Sequence, residues 1–118
     1  MNDITVYRLP WGIDYSSQRE KWFENRVMGF QFRSELEGEK AAEEAFHLTN
    51  APEEILTEEQ IDLRGDFKGP SLSVGDIVQI TPVVIGLNSY STEYYLCKSQ
   101  GWEKFTGDTI QLLKHFSW

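Results

Sequence analysis

Few side chains in this sequence have the types and spacing that catalysis or metal binding requires. The chain holds one cysteine, Cys97, and two histidines, His47 and His115, far apart from one another. Metal sites draw on several ligands at short, regular spacing, and isolated histidines are a weak signal. We therefore predict no metal site. His47 is expected to be a half-buried strand residue, His115 a surface residue, and Cys97 a small apolar filler without a neighbouring base to activate it.

No cofactor site or catalytic set is visible either. Gly65, Gly69 and Gly75 lack the spacing and the lysine–serine ending of a phosphate-binding loop. Carboxylates are abundant, but glutamates on a charged helix predict solvation and not acid–base catalysis. Arg64-Gly65-Asp66 spells an integrin-recognition tripeptide, which we interpret as a charged turn. The sequence predicts a protein that is not an enzyme and has no cofactor; a small enzyme of unknown reaction is the alternative.

Negative charge is concentrated in one segment. The net charge is −8, and residues 35–66 contain two bases, Lys40 and Arg64, and eleven acids: Glu35, Glu37, Glu39, Glu43, Glu44, Glu53, Glu54, Glu58, Glu59, Asp62 and Asp66. Such a surface repels phosphate, so we expect no direct nucleic-acid binding. It is either a solvated face or a docking site for a protein partner, such as a basic nucleic-acid-binding host protein. In the second case the acids mimic a phosphate array, with these candidates: Glu39, Glu43, Glu44, Glu54, Glu58 and Glu59.

Two further features suggest partner binding. Tyr94 and Tyr95 are consecutive, so on one strand they must point to opposite faces, one to the core and one outward. An outward tyrosine can anchor an interface; the alternative is that the two tyrosines simply pack on the two faces of the sheet. Val83-Val84-Ile85 beside Pro82 could be a sheet edge that accepts a partner strand, as in a structural adaptor, with Val84 as the residue to test.

The elements that must position these residues are short. Apolar alternation and glycine turns predict strands over 4–9, 72–80, 93–98 and 102–105, with a tight turn at Gly75-Asp76. Helices are predicted near 17–26 and 53–62. The segment 27–33 could be a strand or a bend. These patterns predict an α+β fold: a small, twisted, mainly antiparallel sheet with two or three helices packed on it.

Capping patterns support the helices. Ser17 with Glu20 fits a capping box, and Pro52 followed by acids suits the start of the 53–62 helix. Ser34 with Glu37 is a second capping-box candidate, opening a helical segment over 35–46. Residues 46–49 could continue that helix or form a short strand.

Length and hydropathy suit one domain over residues 1–118. The longest aliphatic run is Val83-Val84-Ile85, far short of a membrane span, and the first residues lack the basic and apolar regions of a secretory signal. A single cysteine excludes an internal disulfide. These features predict a cytoplasmic protein with no membrane contact.

The second half of the chain resembles a known family. The segment Asp66-Phe-Lys-Gly-Pro-Ser-Leu-Ser-Val-Gly-Asp-Ile-Val78, the Tyr94-Tyr95 pair and the turn Ser99-Gln-Gly-Trp102 resemble the C-terminal half of YodL-like domains, and 4–9 looks like their opening strand. Pro70 replaces the family's usual histidine, and Ser99-Gln-Gly replaces a more acidic turn. The resemblance implies a small domain of phages and mobile elements with no established activity. It favours an accessory protein that acts by protein binding.

Overall fold

The fold is α+β, with a five-stranded antiparallel sheet and two helices packed against it. It is seen in a computed structural model that describes residues 1–8, 27–69, 71–83 and 92–106. The strands, in the spatial order β2-β1-β3-β4-β5, are β1 Asn2–Arg8, β2 Val27–Ser34, β3 Ile77–Pro82, β4 Glu93–Cys97 and β5 Trp102–Thr106. Two α-helices, α1 Gly38–Asn50 and α2 Glu58–Arg64, flank a single 3₁₀ turn, Glu53–Ile55. The predicted fold class is confirmed.

One face of the sheet forms the main core. Ile4 of β1 pairs with Phe32 of β2 on one side and with Ile80 of β3 on the other. Because side chains alternate along a strand, these three residues lie on the same face. They belong to a buried cluster that α1 completes with Ala41, Ala42, Ala45 and Leu48. The three alanines allow the helix backbone to lie close to the sheet.

Helix α1 starts differently from the prediction. Glu37 is the N-cap residue and makes no side-chain capping bond, and Gly38 enters the helix with φ +59°. The predicted Ser34–Glu37 capping box is therefore wrong. Ser34 instead accepts the Leu36 amide and donates to Glu44 Oε2 at 2.6 Å. Glycine is favoured at position 38 because other residues rarely adopt a positive φ.

The far end of α1 is tied to the chain that precedes β3. Residues 46–49 continue the helix and form no strand, which settles an alternative that the sequence left open. Thr49 Oγ1 accepts the Leu72 amide at 3.1 Å, and Asn50 Nδ2 donates to Leu72 O at 3.2 Å. Residues 72–76 are therefore a loop that is hydrogen-bonded to the end of α1 through Leu72. Of the predicted strand 72–80, only residues 77–80 are a strand. The predicted turn at Gly75-Asp76 is confirmed, with Gly75 at φ +96°.

The predicted helix 53–62 is two helices. The 3₁₀ turn ends at Ile55, and a new helix starts after Thr57. Thr57 Oγ1 accepts the Gln60 amide at 3.1 Å, and Gln60 Oε1 accepts the Thr57 amide at 2.9 Å. This capping box matches the pattern Thr-x-x-Gln, a sequence signal that the prediction missed.

Most of the remaining predicted strands are confirmed, and one predicted helix is not described. Strands β1, β4 and β5 match the predictions within one or two residues, and 27–33 proves to be a strand. The predicted helix 17–26 lies outside the described residues. Ile77 and Leu96 point away from α1 yet are 0% and 1% exposed, so the middle of the sheet is buried on both faces. No helix among the described residues is long and apolar enough to cross a membrane.

Candidate protein-binding surface

All the acids of residues 35–66 are exposed except Glu44, which is half-buried. Glu43 and Glu44 lie within α1, and the other nine form two groups near its two ends. Glu35, Glu37 and Glu39 lie at the start of α1, and six others follow its end: Glu53, Glu54, Glu58, Glu59, Asp62 and Asp66. A helix of 13 residues separates its ends by about 18 Å at 1.5 Å per residue. The acidic segment 35–66 therefore does not form one continuous face.

Two of the predicted binding residues have structural partners. Glu43 Oε1 accepts a hydrogen bond from Trp102 Nε1 at 2.7 Å, which links α1 to β5. Glu44 accepts the bond from Ser34 at the end of β2. Glu43 and Glu44 thus help to attach α1 to the sheet, whereas Glu39, Glu54, Glu58 and Glu59 are exposed without a bond or ion pair within the described ranges.

The group after α1 forms a surface that we call the 53–66 surface, made of Glu53, Glu54, Ile55, Glu58, Glu59, Asp62 and Asp66. Four of its acids, Glu53, Glu54, Glu58 and Glu59, lie in the first turns of the 3₁₀ turn and α2, where the partial positive charge of a helix start favours carboxylates. In the described part of the chain none of the six carboxylates is ion-paired.

The one base in this segment faces inward. Arg64 Nη1 donates to Ala51 O at 2.6 Å and to Leu48 O at 3.4 Å, both at the end of α1. Its charge therefore satisfies helix carbonyls and does not neutralise the neighbouring acids. This contact also agrees with the interpretation of Arg64-Gly65-Asp66 as a charged turn.

Ile55 is the apolar member of the 53–66 surface. It is 62% exposed, whereas the next residue, Leu56, is buried. The break between the 3₁₀ turn and α2 explains the difference, because Leu56 takes the buried position and is 8% exposed. Sequence reasoning missed Ile55, since adjacent apolar residues do not reveal which one is buried.

A second feature lies at the start of α1, where an open cavity of about 300 Å³ is lined by Met1, Asn2, Glu37, Gly38, Ile80, Pro82 and Glu93. Glu93 is paired with Lys104 at 2.5 Å, which raises the pKa of the Lys104 ammonium. The Tyr95 hydroxyl lies close to Gly38, and burial raises the pKa of that phenol. The cavity carries both signs of charge and shows no arrangement specific to one ligand.

One tyrosine of the pair lies in the core, as predicted, and the structure shows that it is Tyr95. Tyr95 is 5% exposed and belongs to the core under α1. Tyr94 lies on the opposite face, where it is half-buried and engaged in an interaction of its own. Tyr94 is therefore not a fully outward residue.

Of the predicted edge at 83–85, the structure describes Val83 alone. Strand β3 lies between β1 and β4, and the Val83 amide donates to Met1 O at 3.0 Å. Among the described strands the edges are β2 and β5. Val84 lies outside the described residues, so strand addition at that position stays a prediction.

The chemistry-bearing residues are dispersed. No group of three metal-ligating side chains occurs within residues 1–8, 27–69, 71–83 and 92–106. Cys97 is 6% exposed, and burial, together with Asp76 and Glu43, raises the pKa of its thiol to about 11. His47 is half-buried, as predicted, but on α1 and not on a strand. His115 lies outside the described residues.

In comparisons with known proteins, the chain matches no protein-family model, no curated protein and no solved structure.

Proposed function

We propose that this chain is a non-enzymatic accessory protein that acts by binding another protein, and that the 53–66 surface is where a basic partner docks. The observation that carries the proposal is that Ile55 is 62% exposed and belongs to a short segment, residues 53–66, with six exposed carboxylates. Protein interfaces commonly combine a small apolar centre with a polar rim, and a few anchors supply most of the binding energy.

The surface is held in place before any partner arrives. Leu56 is buried directly after Ile55, and Arg64 joins the end of α2 to the end of α1. The capping box at Thr57 fixes the start of α2. A preorganised surface loses little conformational entropy on binding, so more of the contact energy becomes affinity.

The charge of this surface selects the partner. Residues 53–66 carry six acids and one base, a net charge of −5. Such a field accelerates association with a basic protein and weakens as salt is added. Host proteins that bind nucleic acids present arrays of lysine and arginine, so they are the class whose surfaces match best.

Fewer glutamates are free to mimic phosphates than the sequence predicts. Glu54, Glu58 and Glu59 remain candidates for imitating phosphates, while Glu43 and Glu44 already have internal partners. Glu39 lies at the other end of α1 and would contact only a partner that extends over about 18 Å.

The biological setting is part of the proposal. A cytoplasmic accessory protein of a phage or mobile element is the setting that the resemblance to YodL-like domains implies. A small acidic protein that occupies a basic host factor suits that setting.

The test compares proteins captured from a bacterial lysate by four versions of the chain. The first variant changes Glu53, Glu54, Glu58 and Glu59 to glutamine, and the second is Ile55→Ala. The matched control changes Glu35 and Glu37 to glutamine, because both are exposed at the opposite end of α1. We expect a basic protein to be captured at low salt by the wild type and the control, and to be lost with both variants.

Two outcomes would count against the proposal. Equal capture by all four versions would show that the partner does not bind the 53–66 surface. Capture that persists at high salt would show that charge attraction does not hold the complex together. Duplex DNA added as a competitor tests mimicry separately: it releases the partner only if the acidic surface occupies the partner's nucleic-acid site.

A further inference from the structure

We infer that Arg8 is the centre of an oxyanion-binding site, which takes a carboxylate or phosphate group between β1, β2 and the loop that follows α2. Arg8 is the last residue of β1 and is half-buried. No carboxylate among the described residues pairs with it. A guanidinium stays charged at physiological pH, and a partly buried charge without a counter-ion is unfavourable.

Two glycines create the space that the guanidinium occupies. A β-carbon on Gly29 of β2 would lie 2.6 Å from Arg8 Nε, and one on Gly69 would overlap Arg8 Nη2. Neither glycine has a positive φ, so a close approach by Arg8 explains them better than backbone conformation does. The side chain therefore lies in a slot that only glycine leaves open on two sides.

The rest of the slot is apolar. A β-carbon on Gly69 would also come within 2.8 Å of the Phe67 ring, which packs against Phe30 with ring centroids 4.8 Å apart. Lys68, next to Gly69, is exposed and without an ion pair in the described part of the chain. Adjacent Phe and Gly leave Arg8 few competing hydrogen-bond acceptors.

The chemistry of the guanidinium defines the ligand class. Its planar N–H groups match two oxygens of a carboxylate or phosphate, and such charge-assisted pairs are stronger than neutral hydrogen bonds. In the same loop, the charges of the exposed residues Lys68 and Asp66 offset each other. The site therefore depends on direct hydrogen bonds to Arg8 more than on the overall field of this acidic protein. It is independent of the 53–66 docking proposal.

The experiment follows the Arg8 Nε–Hε resonance by NMR while inorganic phosphate, acetate or chloride is added at matched ionic strength. The resonance is assigned by its loss in Arg8→Lys. We expect phosphate or acetate to shift the Arg8 signal saturably, together with the Gly29 and Gly69 amides, and chloride to leave it unchanged. A response to phosphate alone identifies a phosphate group as the ligand, and an equal response to acetate extends the site to carboxylates.

Variants test the slot. Arg8→Lys should weaken binding about tenfold, because an ammonium cannot bind two oxygens in the same way. Gly29→Ala should weaken it while preserving every charge, because the new β-carbon displaces the guanidinium. Arg33→Gln, an exposed arginine of β2 already paired with Asp3 at 2.9 Å, is the matched control and should bind as the wild type does. The inference is overturned if the wild-type Arg8 signal does not respond to either oxyanion, or if chloride shifts it equally.

Discussion

Trp102 and Glu43 are 59 residues apart in the chain, yet Trp102 Nε1 donates a hydrogen bond of 2.7 Å to Glu43 Oε1. The bond joins strand β5 to the middle of α1. Glu43 is exposed, but because its carboxylate already accepts this bond, it is less available to a binding partner.

Glu43→Ala should lower the free energy of unfolding by about 1 kcal/mol, because the indole loses a charged acceptor. Glu43→Gln keeps a carbonyl acceptor and should lose less. Urea unfolding measures the change, and the Trp102 indole proton should move upfield in the alanine variant. Glu39→Ala, one turn earlier and exposed, is the control; an equal effect of the two alanine variants would show that the Trp102 bond contributes nothing.

Ile55 and Leu56 should differ sharply in their effect on stability. Leu56→Ala removes a buried side chain and should cost about 2–3 kcal/mol. Ile55→Ala should stay within about 0.5 kcal/mol of the wild type, because its side chain is mostly in water. Chemical denaturation of both variants checks this. A large loss for Ile55→Ala would mean that Ile55 supports the fold and is not a free anchor.

The capping box of α2 should be measurable on its own. Thr57→Ala removes the acceptor for the Gln60 amide and should cost about 1 kcal/mol. Thr57→Ser retains the hydroxyl and should be close to the wild type. Amide hydrogen exchange in α2 should rise in the alanine variant, and unchanged protection there would contradict the proposed role of the cap.

Gly29 and Arg8 should be energetically coupled. Gly29→Ala alone should destabilise the protein, because its β-carbon would lie 2.6 Å from Arg8 Nε. In an Arg8→Ala background the same substitution should cost much less, since Arg8 is the neighbour that the added carbon meets. A double-mutant cycle in urea measures the coupling, for which we expect at least about 0.5 kcal/mol. Additive effects would place the Arg8 side chain elsewhere.

The Cys97 thiol should be unreactive and should make stability fall in alkali. Burial raises its pKa to about 11 from an ordinary value of 9.0. At pH 8 the thiolate fraction, and with it alkylation by iodoacetamide, should be about a hundredfold below that of the unfolded chain.

The sign of the pH dependence follows from the raised pKa. Between about pH 9 and pH 11 the unfolded thiol has lost its proton while the folded thiol retains it, so stability decreases as pH rises through that window. Below it the full contribution, about 2–3 kcal/mol, is present. Cys97→Ala should flatten this part of the profile, and an unchanged slope would assign it to other groups, such as the Tyr95 phenol, whose pKa is also raised.

Local patterns were sufficient for much of the secondary structure. Alternation over 4–9, the turn at Gly75-Asp76 and the strands around the Ser99–Gly101 turn were predictable, because strand alternation and turn formation depend on residues next to one another. The α+β class followed from the same signals. The concentration of charge in residues 35–66 was likewise a property of the sequence alone.

Tertiary structure decided which residues meet. Strand β1 lies between β2 and β3, and Arg8 lies in a slot made by Gly29 and Gly69; both arrangements depend on pairings between distant segments, which local periodicity does not encode. The same holds for the acids, since Glu43 and Glu44 differ from their neighbours only through Trp102 and Ser34. Composition set the charge and the apolar content of this chain, but only long-range packing determined that Ile55 is exposed while Leu56 is buried.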